Sequence, residues 1–302
     1  MGVIDLAAFA EAVGNSGPVT IAGLGTRGGP VPDVRCVSAP TGIEWVQPDE
    51  MIASCGAGTP VAELNAALAQ HGQRVAMSAS GTVGGALAVG HSDIRRLGDG
   101  PIRDVLLQAR YVSATGEVVK AGGPTVKNVS GFDLCRLLVG SRGTLGFLGD
   151  VIVRTQPIAT HTQWFRAAAN DPYDVFIRLY RPVSVLWDGE SVWALLEGHA
   201  ADVAEQAASA AMQPCEGPPA LPTGSRRVIP PADVAALTGR FVAEVGVGVV
   251  HHAEPWTPPV VDARAAQLER ALKHEFDPTG RLNPVSSSAD SWDRSSTHAR
   301  RA

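Results

Sequence analysis

Three glycines in the stretch VTIAGLGTRGGPVPDVR, Gly23, Gly25 and Gly28, stand at a spacing that could wrap main-chain amides around a pyrophosphate. In a Rossmann unit the third glycine opens a helix, whose free N–H groups and dipole hold the anion. Here Gly28 runs into Gly29, Pro30, Val31 and Pro32. Two prolines so close remove amide donors and restrict the residues before them, so no helix is expected. Nor does an acidic residue fall cleanly about 20 positions on, where a Rossmann unit reads the ribose. The chemistry left open is a nest of successive N–H groups, which binds phosphate without a helix. Two further glycine-dense runs, Ser80 to Gly90 and Gly140 to Gly149, also lie beside strand-like sequence. Three such loops could surround one extended cofactor carrying two phosphates; the alternative is that the glycines serve only turns.

A second group of residues with chemistry lies in RFVAEVGVGVVHH. As one continuous strand, it would place Phe241, Ala243, Val245, Val247 and Val249 on an apolar face and Glu244, Gly246, Gly248 and His252 on the other. His252 is then the catalytic candidate, a base within reach of a substrate hydroxyl, and His251 points into the layer beneath or caps its edge. Strand-end histidines without a catalytic role are the plain alternative. The four cysteines, Cys36, Cys55, Cys135 and Cys215, form no C-x-x-C pair. Neither a metal or iron–sulfur site nor a disulfide framework is expected from them.

The chain that must position these groups has 302 residues, 45% hydrophobic and 18% charged, a globular composition with room for two domains. A net charge of -5 argues against binding along a nucleic-acid backbone. The start, MGVIDLAAFAEAVG, lacks the features of a secretory signal, and no apolar run reaches bilayer length. A cytoplasmic protein is expected, associated with a membrane only through a partner.

Along the first half, DLAAFAEAV has helical spacing, VTIAG reads as a strand, and DVRCVSA and MIASCGAG as short β pieces. In TPVAELNAALAQHG a helix is expected with Thr59 as N-cap, Pro60 at its first position and Gly72 past its end. DVLLQARYVSATGEVVKAGG reads as two strands about an Ala-Thr-Gly turn. The second half reads as strand TQWFRA, a helix from DPYDVFIRLYR capped by Asp171, hairpin VSVLWDGESVWALLEG and helix DVAEQAASAAM. A Pro/Gly-rich loop, PCEGPPALPTGSRRVIPP, the histidine-bearing strand and helix VDARAAQLERALKHEF follow. The expected division is residues 1–157, then 158–285 as a small α+β layer with helices on one face of an antiparallel sheet, then 286–302 as a disordered polar tail.

The order of motifs from about Gly14 to Pro157 resembles the FAD-binding domain of the vanillyl-alcohol oxidase, or PCMH, type, and within it the FAD-binding subunits of bacterial glycolate oxidases. The match is carried by GLGTRGG, CGAGTPVAELNAALAQHGQ, GTVGGALAVGHSDIRRLGDGPIRDVLL, GEVVKAGG and above all VKNVSGFDLCRLLVGSRGTLGFLGDVIVRTQP. The resemblance implies an α+β protein, a PCMH-type domain of two α/β subdomains followed by a small α+β cap. It implies that the first loop, with Gly23, Gly25, Thr26, Arg27 and Gly28, and the second, with Ser80, Gly81, Thr82, Gly84 and Gly85, hold the pyrophosphate and ribityl chain through N–H groups. Gly90, His91 and Ser92 are placed near the flavin, and Gly140, Gly143, Gly146 and the strand around Val151 near the pyrophosphate or adenosine. Arg95, Arg96 and Arg103 could steady an anion, while Asp104 and Asp133 orient loops. Where some relatives attach FAD through His or Cys, the first loop has Thr26 and Arg27, so noncovalent FAD is expected; His91 is the nearest thing to an attachment residue. FDPTGRLNP resembles the segment closing the family's flavin domain, but Val285 stands where that segment continues with glycine, and no role is carried to Arg281 or Asn283.

The implied activity is that of an FAD-dependent oxidoreductase subunit oxidising a 2-hydroxy acid, glycolate or lactate, to the 2-oxo acid. Electrons would pass to a soluble acceptor or to partners, a larger flavoprotein subunit and an iron–sulfur subunit. Two alternatives stay open: an FAD-bearing assembly or electron-relay subunit without its own turnover, and an independent sugar or aldonolactone oxidase.

Overall fold

A computed structural model describes residues 4–124, 133–256 and 262–284. The motif residues Lys127, Asn128, Gly131 and Phe132 lie outside the described residues, as do Val285 and the tail 286–302. The chain divides into two compact units, and it crosses between them more often than a single cut after Pro157 allows. Residues 94–100 belong to the second unit, and the helix Ala263–Phe276 with the turn after it belongs to the first.

In the first unit, β1 (Val19–Ala22) pairs in parallel with β2 (Arg35–Ser38) as a two-stranded sheet. The larger sheet is formed by β3 (Ile43–Gln47), β4 (Ile52–Gly56), β5 (Gln73–Val75), β6 (Leu106–Val112), β7 (Val118–Gly122) and β8 (Phe147–Pro157). Its order is β3-β4-β8-β6-β7, with β5 also on β8. The long β8 takes the centre because its residues from Phe147 to Val153 are all buried, as both faces of an interior strand require. Leu64, Leu68, Val83 and Leu87, on the helices Val61–Ala69 and Val83–Val89, pack in one core with Val151 and Val153. A fully buried leucine of this kind contributes roughly 1.5–3 kcal/mol. The β6–β7 hairpin turns at the Ala-Thr-Gly sequence, with Ser113 N–H donating to the Glu117 carbonyl at 2.9 Å.

Thr59 does not cap the helix Val61–Ala69. Its hydroxyl donates to the Gly42 carbonyl at 3.1 Å and accepts from the Gly42 amide at 2.9 Å, tying β4's exit to the approach of β3. The side-chain cap sits instead on Val83–Val89, where Thr82 Oγ1 accepts from Gly85 N–H at 3.1 Å.

The second unit is a seven-stranded antiparallel sheet. Its strands are β9 (His161–Ala168), β10 (Ser184–Trp187), β11 (Ser191–Gly198), β12 (Gln213–Cys215), β13 (Ser225–Val228), β14 (Phe241–Glu244) and β15 (Val249–His252), in the order β12-β9-β11-β10-β14-β15-β13. One face packs against Val175, Val203 and Ala207 of the helices Tyr173–Phe176 and Ala200–Ser209.

Two expectations change here. The segment expected as a loop contributes β13, and the strand expected to run through 241–252 is a hairpin. Gly246 and Gly248 both have φ +79°, a left-handed conformation that bends the chain, and the Glu244 carbonyl accepts from Val247 and Gly248 N–H at 3.2 and 2.9 Å. The expected helix from DPYDVFIRLYR is only Tyr173–Phe176; beyond it Arg178 and Leu179 N–H donate to the carbonyls of Val175 and Phe176, three residues back, and the chain turns at Arg181, φ +48°, ahead of Pro182.

Candidate functional site

The first loop leaves β1 at Ala22, and the amides of Gly23, Leu24 and Gly25 donate to no acceptor among the described residues. Gly25 lies at φ +70° and Gly28 at φ +101°, and a Cβ on either would meet nothing within 4 Å. Unspent amides above open space are what an anion nest needs. The second loop docks on the first. Arg27 Nη1 donates to the Ser80 carbonyl at 2.6 Å, a Cβ on Gly23 would come within 3.0 Å of Thr82 Oγ1, and one on Gly81 within 2.3 Å of Thr26 Oγ1. The amides of Ser80, Gly81 and Thr82 also donate to no acceptor among the described residues. Burial pulls the Arg27 pKa down against the charge of Asp93, yet a guanidinium so far above neutrality stays charged.

Gly84 and Gly85 play a different part from the one expected. Their amides are already spent, Gly84 on the Ala57 carbonyl at 2.7 Å and Gly85 on Thr82 Oγ1, so neither has an N–H to offer a phosphate. They are glycines because the helix Val83–Val89 packs tightly: a Cβ on Gly84 would stand 2.8 Å from Ala57. Two further amides are spent: that of Gly90 closes the helix on Ala86, and that of Gly140 goes to Leu87 at 2.9 Å. That bond and Arg142 N–H to the Ala88 carbonyl at 2.8 Å dock the third loop beside the second. Gly143 lies at the Asn283 carboxamide, and Gly146 is pressed on the Tyr111 ring. Val151 is fully buried in the core on an interior strand between Cys55 and Ala109. His91 is half-buried after Gly90, and Ser92 Oγ accepts from Ile102 N–H at 3.1 Å.

Of the arginines, Arg95 is held by Asp99 at 3.2 Å and Glu197 at 2.7 Å, and Arg103 is exposed next to Asp104. Asp133 caps the helix Leu134–Leu138, its side chain accepting from Arg136 N–H. Burial, ahead of nearby carboxylates, pushes the Cys55 thiol up to about 12 and the Cys135 thiol to about 11, so both stay protonated.

In the second unit the hairpin reverses the expected faces of the two histidines. The ladder sets His252 opposite Phe241 and His251 opposite Val242. His252 therefore faces the helix-covered layer, 9% exposed, its ring 6.1 Å from Phe241 and its Nε2 without a partner among the described residues. His251 shares the other face with Glu244, and Nε2 lies 3.1 Å from Glu244 Oε1. Glu244 is 2% exposed and its Oε2 has no partner among the described residues. Across the next ladder His251 is paired with Arg226, whose guanidinium is desolvated by burial, stabilised by Glu244 and opposed by Arg96. Arg226 escaped notice because it falls in the supposed loop; the signal was Ser225-Arg226-Arg227-Val228 standing between Gly224 and Pro230, turn residues that bound a strand.

The buried site of His252 has a pH consequence. Burial first, then Arg227 and His251 against the opposing charge of Glu254, lowers its pKa below 6.5. A depressed histidine leaves stability untouched above the unfolded value and erodes it as pH falls from about 6.5 toward the folded value, by at most about 1.4 kcal/mol per pH unit. His252→Leu is expected to lose this part of the acid sensitivity. Urea midpoints of both proteins between pH 7.5 and 5 measure it, and parallel curves would refute the assignment.

The first unit thus presents main-chain amides without acceptors among the described residues on adjoining glycine loops, an arrangement suited to a diphosphate. Residues 6–122 match the family model described as FAD binding domain. The glycolate oxidase subunit GlcE of Escherichia coli K12 is 34% identical over 159 residues, 49% of this chain and 45% of that protein. A D-lactate dehydrogenase of Archaeoglobus fulgidus is 36% identical over 142 residues, 45% of this chain and 32% of that protein. The chain thus spans less than half the length of these relatives. A solved structure of alkyldihydroxyacetonephosphate synthase superimposes with a TM-score of 0.62 over 88% of this chain and 71% of that one, at 15% identity, which shows the shared α+β fold. FAD is the cofactor of this domain, and the unspent amides and open glycines of the first two loops fit its diphosphate. No described helix is long and apolar enough to cross a membrane.

Proposed function

We propose that the chain is an FAD-dependent oxidoreductase subunit that oxidises a 2-hydroxy acid, glycolate or lactate, to the 2-oxo acid. The observation that carries this reading is the row on the second unit's sheet, Glu244, His251 and Arg226, taken together with the match of residues 6–122 to the FAD binding domain model and with relatives named for glycolate oxidase and D-lactate dehydrogenase. Oxidising a 2-hydroxy acid removes two electrons with the hydrogen on C2, and a proton from the hydroxyl. Noncovalently bound FAD supplies the two-electron acceptor. With Nε2–H donating to Glu244, His251 keeps Nδ1 as the proton acceptor, and Arg226 offers a cation to the carboxylate. His252, in the apolar layer, supports the sheet in this reading. Electrons would leave to a soluble acceptor or to a larger flavoprotein subunit and an iron–sulfur subunit, in the cytoplasm, with any membrane reached through a partner.

The test is to load the purified chain with FAD and mix it without oxygen with glycolate, D-lactate and L-lactate. Bleaching of the flavin absorbance is the expected result. A flavin that stays oxidised until a partner subunit is added would support the second reading, an electron-relay or assembly subunit, which is favoured by the word subunit in the name of the Escherichia coli relative. Colour that survives acid precipitation would overturn the noncovalent assignment.

A further inference from the structure

The last described turn, 277–283, makes a dense set of polar contacts in the first unit. Asp277 closes it: its carboxylate accepts from Arg281 N–H at 3.0 Å, Leu282 N–H at 2.7 Å and Lys273 Nζ at 2.5 Å, and Lys273 also donates to the Thr144 carbonyl at 2.9 Å. Arg281, 5% exposed, spends its guanidinium on five carbonyls, those of Val13, Gly14, Ser16, Gly17 and Ala114, at 2.7 to 3.1 Å. The turn then zips onto β1, with Val19 N–H donating to the Arg281 carbonyl and Asn283 N–H to the Val19 carbonyl, both at 2.9 Å.

Asn283 makes a different set of contacts. Its Oδ1 accepts from Thr20 Oγ1 at 2.8 Å and from Ile21 N–H at 3.2 Å, immediately before the first glycine loop. Thr20 Oγ1 in turn accepts from Val31 N–H at 3.0 Å, just after that loop. Its Nδ2 donates to the Arg142 carbonyl at 2.6 Å, in the third loop. One carboxamide therefore holds the entry of the first loop directly, its exit through Thr20, and the third loop. The residue type suits two demands: φ +44° favours asparagine among side-chain-bearing residues, and its carboxamide carries an acceptor oxygen and a donor nitrogen on separate atoms, which a carboxylate lacks.

We propose that Asn283 is a positioning residue for FAD, holding the two stems of the diphosphate loop at the separation at which the Gly23 to Gly25 amides converge. The inference rests on the first loop being the diphosphate site. Asn283→Gly removes the carboxamide and tolerates the positive φ, so it tests the side chain without backbone strain. FAD titrated into the FAD-free full-length chain, followed by flavin fluorescence, is expected to give a dissociation constant raised ~10- to 100-fold. Hydrogen exchange of the FAD-free protein is expected to show Ile21 and Val31 amides losing protection. Asn283→Asp keeps both acceptor contacts but loses the donor to Arg142 and adds a negative charge, and is expected to weaken FAD binding as well.

Arg281→Lys supplies the contrast, since Arg281 holds the N-terminal turn and none of the glycine loops: its melting temperature falls, but FAD affinity stays within ~3-fold of the parent. Affinity loss that simply tracks melting temperature across the three variants would overturn the proposal, as would Asn283→Gly binding FAD like the parent. A parent chain that takes up no FAD would instead overturn the diphosphate reading on which the proposal stands.

Discussion

Gly25→Val is expected to leave a folded protein that no longer takes up FAD. Two effects act at this position and can be separated. The first is strain: φ +70° is left-handed, and a side chain there costs roughly 1–2 kcal/mol, more for a β-branched one. The second is occupancy: the Cβ would enter space in which nothing lies within 4 Å, above the unspent amides of Gly23, Leu24 and Gly25. A hydrogen bond from an amide to a charged oxygen contributes about 1.5–3 kcal/mol, so losing two raises the dissociation constant by at least ~10²-fold. Gly72→Val separates the two effects, because Gly72 has φ +65° with nothing within 4 Å but follows the helix Val61–Ala69, outside the three loops. Both variants should melt earlier; only Gly25→Val should lose FAD in a fluorescence titration. Retention of FAD at parental affinity by Gly25→Val would remove the first loop from the site.

That contrast also marks how far the sequence could be read. The three glycine loops were legible because glycine density beside strand-like sequence has few structural uses, and Pro30 and Pro32 excluded the helix of the alternative fold. Their meeting was an expectation that the contacts Arg27 to Ser80 and Arg142 to Ala88 now display. Which amides stay free was not legible: Gly84 and Gly25 look alike in sequence, and only the fold shows that Ala57 has consumed one of them. The same holds for Thr59, a well-placed cap by local rules that is drawn off to Gly42 by tertiary contact.

The histidine faces were misassigned for a sharper reason. Period-two counting is reliable only while the strand continues, and the G-x-G at Gly246 and Gly248 turns it. With the turn in place, parity restarts at Val249 and the two histidines exchange faces. The path of the chain between units was only partly legible: FDPTGRLNP resembles a segment that closes a flavin domain, but the helical spacing of residues 263–276 does not say which unit the helix joins.

That exchange of faces decides the second large effect, which depends on the proposed 2-hydroxy-acid oxidation. His251→Ala is expected to slow anaerobic reduction of the bound flavin by ~10²- to 10⁴-fold, the range for removing a general base. His252→Leu should leave that rate near the parent's, although continuous-strand counting would have predicted the reverse. Glu244→Gln keeps the shape and can still accept from Nε2–H through its amide oxygen, but removes the charge that favours a protonated His251 as the hydroxyl proton arrives, so a smaller loss, ~10-fold, is expected. Arg226→Gln should act on the other half of the substrate: half-saturation moves to higher acid concentration while the limiting rate changes less, because a carboxylate anchor binds ground state and transition state alike. Stopped-flow reduction over a range of substrate concentrations reads both quantities in one experiment. If His251→Ala reduces at the parental rate while His252→Leu does not, the base is on the helix-covered face and the row of Glu244, His251 and Arg226 is structural.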